Sequence, residues 1–124
     1  MNEHHGRALG AALYARAASG EPIAATAELA AQLKTTVQHC IGKPWRIAGV
    51  YYDWGSSGES LDRPGLRRLL RDGREGRFDL VVVRELKDLS ELWFNSLLIG
   101  IQLEERGIRL ERAEEPAGPI RLPS

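Results

Sequence analysis

Cysteine occurs once in these 124 residues, the formal net charge is zero, and no apolar run approaches the ~20 residues of a membrane span. Each shortage closes off a class. The single thiol, Cys40, cannot form an internal disulfide, and its place among helix-period residues marks it as a small buried hydrophobe in a reducing, cytoplasmic setting. Seventeen basic residues balance seventeen acidic ones, so no overall field draws the chain to nucleic acid or an anionic membrane, and any anion binding must be local. The N-terminus "MNEHHGR" is polar where a signal peptide would be apolar. His4 and His5, adjacent in a terminus without Cys or acidic partners at ligand spacing, make no metal site. Neither metal nor cofactor is expected, and there is no G-x-G-x-x-G, P-loop, internal repeat or low-complexity tract.

What is present alternates between two periods. Leu9–Tyr14 is a short apolar run suited to a buried strand, and Pro22–Ile41 is rich in alanine, leucine and glutamine, with Pro22 tolerated in a first turn and Gly42-Lys43-Pro44 as a stop. Trp45–Trp54, "WRIAGVYYDW", has the aromatic and branched content of a strand and gives way to the loop "GSSGESLDRPG". Pro64 opens a second helix, ended by Gly73 and Gly76, in which Leu66, Leu69 and Leu70 share a face that Arg67, Arg68, Arg71 and Arg74 largely avoid. "FDLVVV", Phe78–Val83, reads as a central parallel strand. A third helix is expected over about 89–106 with Gly107 as its stop, followed by a short strand in "IRLERA".

Strand and helix in alternation predict an α/β fold: a three-layer α/β/α domain over residues 9–113, with a mostly parallel sheet of four to five strands. Residues 1–8 are expected as a disordered N-terminus and 114–124 as a flexible tail. Ligands of such sheets bind beyond the carboxyl ends of the strands, which here brings together Arg16, the stretch 53–63 and the stretch 84–90.

The motifs "YAR" at the end of the first strand, "ELAAQ" in the first helix, "GKPWRIAGVYYDWGSSGESLDRPGLRRLLRDGREGRFDLVVVREL" and "LEERGIRL" together resemble the catalytic domain of serine recombinases, the resolvase/invertase family. The resemblance runs from about Leu9 to Arg112. It implies a resolvase-like fold and a reaction in which a serine hydroxyl attacks a DNA phosphodiester, forms a phosphoseryl link and rejoins strands after subunit rotation. That chemistry needs an activated oxygen nucleophile and fixed cations around the phosphate.

Aligned on Tyr14-Ala15-Arg16, the family's nucleophile position is Ala18, which has no oxygen. Where the family has Leu-Asp-Arg-Leu-Ser-Arg, this chain has Leu86-Lys87-Asp88-Leu89-Ser90-Glu91, so two phosphate-facing cations become carboxylates. A carboxylate ~5 Å from a phosphate repels it by about 1 kcal/mol in water and by several in a partly enclosed site. The resemblance carries over Arg16, Gln32 and Arg63 as remnants of a phosphate or anion site, in competition with a purely structural role in which Arg16 and Arg63 pair with Asp53, Asp62 or Asp88. Ser19 is one residue beyond the lost nucleophile and is the remaining candidate catalytic hydroxyl.

Three readings follow. The first is a free-standing, degenerate recombinase domain that has lost strand transfer and acts as a binding, regulatory or oligomerisation module, with a full-length recombinase or itself as a homodimer partner. Trp93, Phe94 and the third helix's apolar positions are its candidate contact surface. On this reading the chain is expected to stop short of the long helix and DNA-binding domain into which family members continue. The second is an active recombinase or nicking enzyme using Ser19. The third is a small-anion or nucleotide-binding domain. Weak non-specific DNA contact is expected through Arg63, Arg67, Arg71 and Arg74, against the plainer role of a solvated helix face.

Overall fold

A computed structural model describes residues 8–55, 63–90, 92–114 and 117–120. The elements run β1 (Leu9–Ala17), α1 (Pro22–Ile41), β2 (Trp45–Trp54), α2 (Pro64–Arg74), β3 (Leu80–Val83), a one-turn α3 (Leu86–Leu89), α4 (Trp93–Glu105), β4 (Arg109–Arg112) and β5 (Gly118–Pro119). The sheet order is β2-β1-β3-β4-β5, the first four parallel and β5 antiparallel to β4. Eight of the nine β1 residues are buried, as a strand between two parallel neighbours requires.

Alternation along the strands splits the core in two. Ala11, Leu13, Leu80 and Val82 face α1, meeting Cys40, Leu33 and Val37. Ala12, Tyr14, Val81 and Val83 face the opposite way, onto Leu66 and Leu69 of α2 and Ile99 and Leu103 of α4. This is the expected three-layer arrangement, and Cys40 is buried, with burial pushing its thiol pKa up.

Local signals set most boundaries. Glu21 caps α1 by accepting the Ala24 N–H at 2.9 Å, and the Gly42 N–H returns to the helix's last carbonyls. Arg63, extended ahead of Pro64, supplies no side-chain cap to α2. Asp53 of β2 does so instead, accepting from the Gly65 N–H at 2.7 Å and the Leu66 N–H at 2.9 Å.

Three expectations are corrected. Gly73 does not end α2; it is buried inside the helix because Phe78 and Ile108 pack where a side chain would stand. The third helix is not continuous from Leu89. Glu85 and Asp88 close a capping box around one turn, Ser90 is extended at φ −161°, and α4 begins only at Trp93. Within the stretch expected as tail, Gly118–Pro119 extends the sheet by pairing with Glu111–Arg112. His4, His5, Asp62 and Glu91 lie outside the described residues, as does the Trp93 side chain.

Candidate functional site

β1, β2 and β3 run parallel and end at Ala17, Trp54 and Val83, so the segments that follow them open on one side of the sheet. Arg16 is the penultimate residue of β1. Its N–H donates to Gln32 Oε1 at 2.9 Å and its carbonyl accepts from Gln32 Nε2 at 2.7 Å. Gln32, buried in α1, thus splints the strand end to the helix with both halves of its amide. The Arg16 guanidinium donates through Nε to the Asp88 carbonyl at 3.3 Å and through Nη2 to the Lys87 carbonyl at 3.0 Å. These bonds use the backbone of α3, while the Asp88 carboxylate takes both Arg84 nitrogens at 3.0 Å and the Glu85 N–H at 3.1 Å. Burial pulls the Arg84 pKa down, but the Asp88 bond and charge outweigh it and hold the group firmly protonated.

Together these residues line a pocket of about 170 Å³: Arg16, Arg84 and Lys87 as cations, Glu28 and Asp88 as carboxylates, with Ala18 and Gln32. At ~30 Å³ per water, that is room for an anion of phosphate size. Its lining includes the exposed Ala18, whose N–H donates to Glu28 Oε2 at 3.3 Å. Ser19 does not line the pocket; its Oγ accepts the Glu21 N–H at 3.1 Å in the turn into α1.

Arg63 is elsewhere. It is fully buried, donating through Nη1 to the Tyr14 hydroxyl at 3.1 Å and through Nη2 to the Leu89 carbonyl at 2.5 Å, with Nε unpartnered. The Tyr14 hydroxyl in turn donates to Asp53 Oδ2 at 2.7 Å. Arg63 therefore reaches the Asp53 charge through a phenol rather than by a direct pair. Burial lowers the Arg63 pKa, and burial together with the Asp53 bond drives that of Tyr14 far above its ordinary value. A fully buried guanidinium cannot be a surface DNA contact, which corrects that expectation for Arg63; Arg67, Arg71 and Arg74 are exposed.

The structure thus gathers Arg16 and Gln32 at one pocket, holds Ser19 in the turn into α1 and buries Arg63 against Tyr14 and Leu89. Sequence reading overlooked Glu28 and placed Arg84 and Lys87 only within the stretch 84–90, without singling them out as pocket cations. A signal existed for each: Glu28 precedes Gln32 by one helical turn, and Arg84 directly follows "FDLVVV" at a strand end.

A family model described as "Resolvase, N terminal domain" matches residues 11–120. A Bacillus subtilis (strain 168) protein named "Putative DNA recombinase" is 37% identical over 75 residues, 56% of this chain and 15% of that protein. The chain thus spans a small part of that relative. Among solved structures, the N-terminal catalytic domain of TP901-1 integrase aligns at a TM-score of 0.77 and 24% identity, covering 84% of this chain and 77% of that one. A resolvase family site-specific recombinase from Streptococcus pneumoniae aligns at 0.73 and 23% identity, over 86% and 73%. At such identities the likeness is one of fold.

Proposed function

Because the chain belongs to the resolvase N-terminal domain family, whose fold is that of serine recombinase catalytic domains, we propose that it keeps the scaffold of that domain without strand transfer and works by binding. The observation that carries this reading is the pocket at the strand ends: three cations, two carboxylates and, at the nucleophile position, a methyl group. A nucleophile there would need an oxygen and a base, and the nearest carboxylate, Glu28, is engaged by the Ala18 N–H. The nearest hydroxyl, Ser19, accepts a backbone bond outside the pocket.

The binding surface we assign is the outer face of α4. Phe94, Leu98 and Ile101 recur at i, i+4 and i+7 and are each at least 39% exposed, while Ile99 and Leu103 hold the opposite face against the sheet. A stripe of that kind suits another recombinase-type subunit.

Incubation with a nicked duplex substrate, followed by denaturation and detection of protein-linked DNA, tests the loss of chemistry. The expected result is no adduct. A phosphoserine adduct that disappears in Ser19→Ala would establish the competing reading, an enzyme with a displaced nucleophile.

A further inference from the structure

The two faces of the sheet are covered unequally. Both α2 and α4 pack on one face, whereas among the described residues α1 is the one helix on the other, and β2 is an edge strand. Residues paired across parallel strands share a face, so Trp45, Ile47, Val50, Tyr52 and Trp54 stand on the α1 side, opposite Leu9, Ala11, Leu13, Ala15 and Ala17. All five are apolar. α1 does not reach far enough to cover them: Ile47, Val50, Tyr52 and Trp54 are 45–49% exposed, and Ile23 at the start of α1 is 79% exposed. Between helix and strand runs a trough of about 250 Å³, lined by Pro22, Ala25, Thr26, Leu29, Tyr52 and Trp54.

An edge strand with one wet face ordinarily places polar residues there and guards its free ladder with lysine, proline or a charge. From Gly49 to Trp54 this strand has none of these on the open face. Its one charge, Asp53, points to the other face and is buried capping α2. A bulge where Ala11 and Ala12 meet Ile47 and Gly49 confines the flat stretch to these six residues.

We propose that this edge joins two copies of the chain, β2 against β2 antiparallel across a two-fold axis, to give one continuous sheet. An edge ladder run antiparallel is complementary to itself, the condition a two-fold interface requires. With the axis at Tyr52, residues facing across it share a face, so Tyr52 meets Tyr52 and Val50 meets Trp54, with no like charges meeting. The helices fit the same arrangement. With α1 seated over β1, the two copies of α1 stand three strand spacings apart, about 14 Å. Helices in direct contact pack at about 8–10 Å. The remaining few ångströms are the thickness of the aromatic layer that Tyr52 and Trp54 provide, and each α1 covers what the other leaves bare. Each copy buries about 450 Å² of apolar surface, about 1,000 Å² in all with the backbone, at the lower limit of a specific interface. The dimer therefore forms and dissociates with concentration. This joint involves neither the pocket's chemistry nor α4, so it stands apart from the function proposed above.

Sedimentation velocity of the full chain between about 1 and 200 µM decides it. A monomer–dimer equilibrium is expected, weakened at least tenfold by Val50→Lys or Tyr52→Lys and unchanged by the exposed-site control Glu105→Lys, each variant's thermal unfolding serving as a check on folding. Hydrogen exchange of the wild type is the second measurement: backbone amides of Gly49–Trp54 should slow as concentration rises. A monomer at every concentration overturns the proposal. So does a dimer that Leu98→Lys dissociates and the β2 variants do not, an outcome that would assign self-association to α4.

Discussion

Arg63 shows how one residue's surroundings change its role. A guanidinium that the family pattern assigns to a phosphate here has every terminal nitrogen contact inside the protein, on Tyr14 and Leu89, and an unpartnered Nε. Its neighbour Gly65 is under still tighter constraint. A Cβ at that position would run into the Tyr52 carbonyl and come within 2.8 Å of Asp53 Oδ2, the oxygen that holds Tyr14 and Leu66. Neither atom can retreat, since one is strand backbone and the other is fixed by two hydrogen bonds. Gly65→Ala is accordingly expected to cost about 3 kcal/mol, the upper range for overpacking. Urea unfolding checks it: a midpoint shift of less than a third of that size would show that α2 rises off β2 at little cost. The glycine's need is steric, for its φ is not in the left-handed region. A sequence alone displays "RPGLRR" and gives no hint that the strand lies beneath it.

At the scale of elements, legibility followed the strength of the local signal. α1 and β2 lie where Pro22, the Gly42 stop and the aromatic run of Trp45–Trp54 put them. The third helix was misjudged because its apolar period continues through Leu89, while the break is made by two side-chain devices: the Glu85–Asp88 capping box and Ser96 Oγ, which donates to the Ser90 carbonyl at 3.3 Å. The pocket was half legible for the same reason. Arg16 and Gln32 are carried by motif, but which of Arg84, Lys87 and Asp88 faces inward depends on that single turn. The seam between β2 and α2 allows a prediction with a definite sign. The Tyr51 hydroxyl donates to Asp72 Oδ2 at 2.7 Å. This bond is the main reason that the Asp72 pKa is lowered, and burial followed by the same bond pushes Tyr51 up to about 12. A depressed carboxylate stabilises above its unfolded pKa near 4 and loses that contribution as pH falls through its folded value. A raised phenol stabilises below its unfolded pKa near 10 and loses that as pH rises toward 12. The pair's contribution is thus complete from about pH 5 to 9. Tyr51→Phe should cost about 1 kcal/mol there. Melting curves at pH 7 and pH 3 check it: the gap between wild type and variant should be smaller at the acid end, and a gap of equal size at both would refute the assignment.

For the molecule as a whole, the balance of seventeen positive and seventeen negative residues matters more than any single patch. The alternation of strand and helix was enough to specify a three-layer sheet, because right-handed parallel crossovers leave few other ways to bury two apolar layers. The same reading overcounted the cations of the α2 region. Six arginines lie between Arg63 and Arg77, yet Arg63 is buried, Arg71 Nε donates to Asp72, and Arg77 Nε donates to Glu75 at 2.9 Å. Arg68 and Arg74 stand on the exposed face as the cations best placed for phosphates. Since each neutralised phosphate contributes about −0.9 to the slope of log K against log salt, two contacts give a slope near −1.8. Affinity for a random-sequence duplex should then fall only about 12-fold between 50 and 200 mM salt. Fluorescence anisotropy across that range measures it, and Arg68→Ala should halve the slope to about −0.9. A slope of −6 or steeper would mean that a second basic surface, not formed by α2, carries the DNA. The neutral field of the intact molecule argues against such a surface, because nothing at long range would gather a duplex toward it.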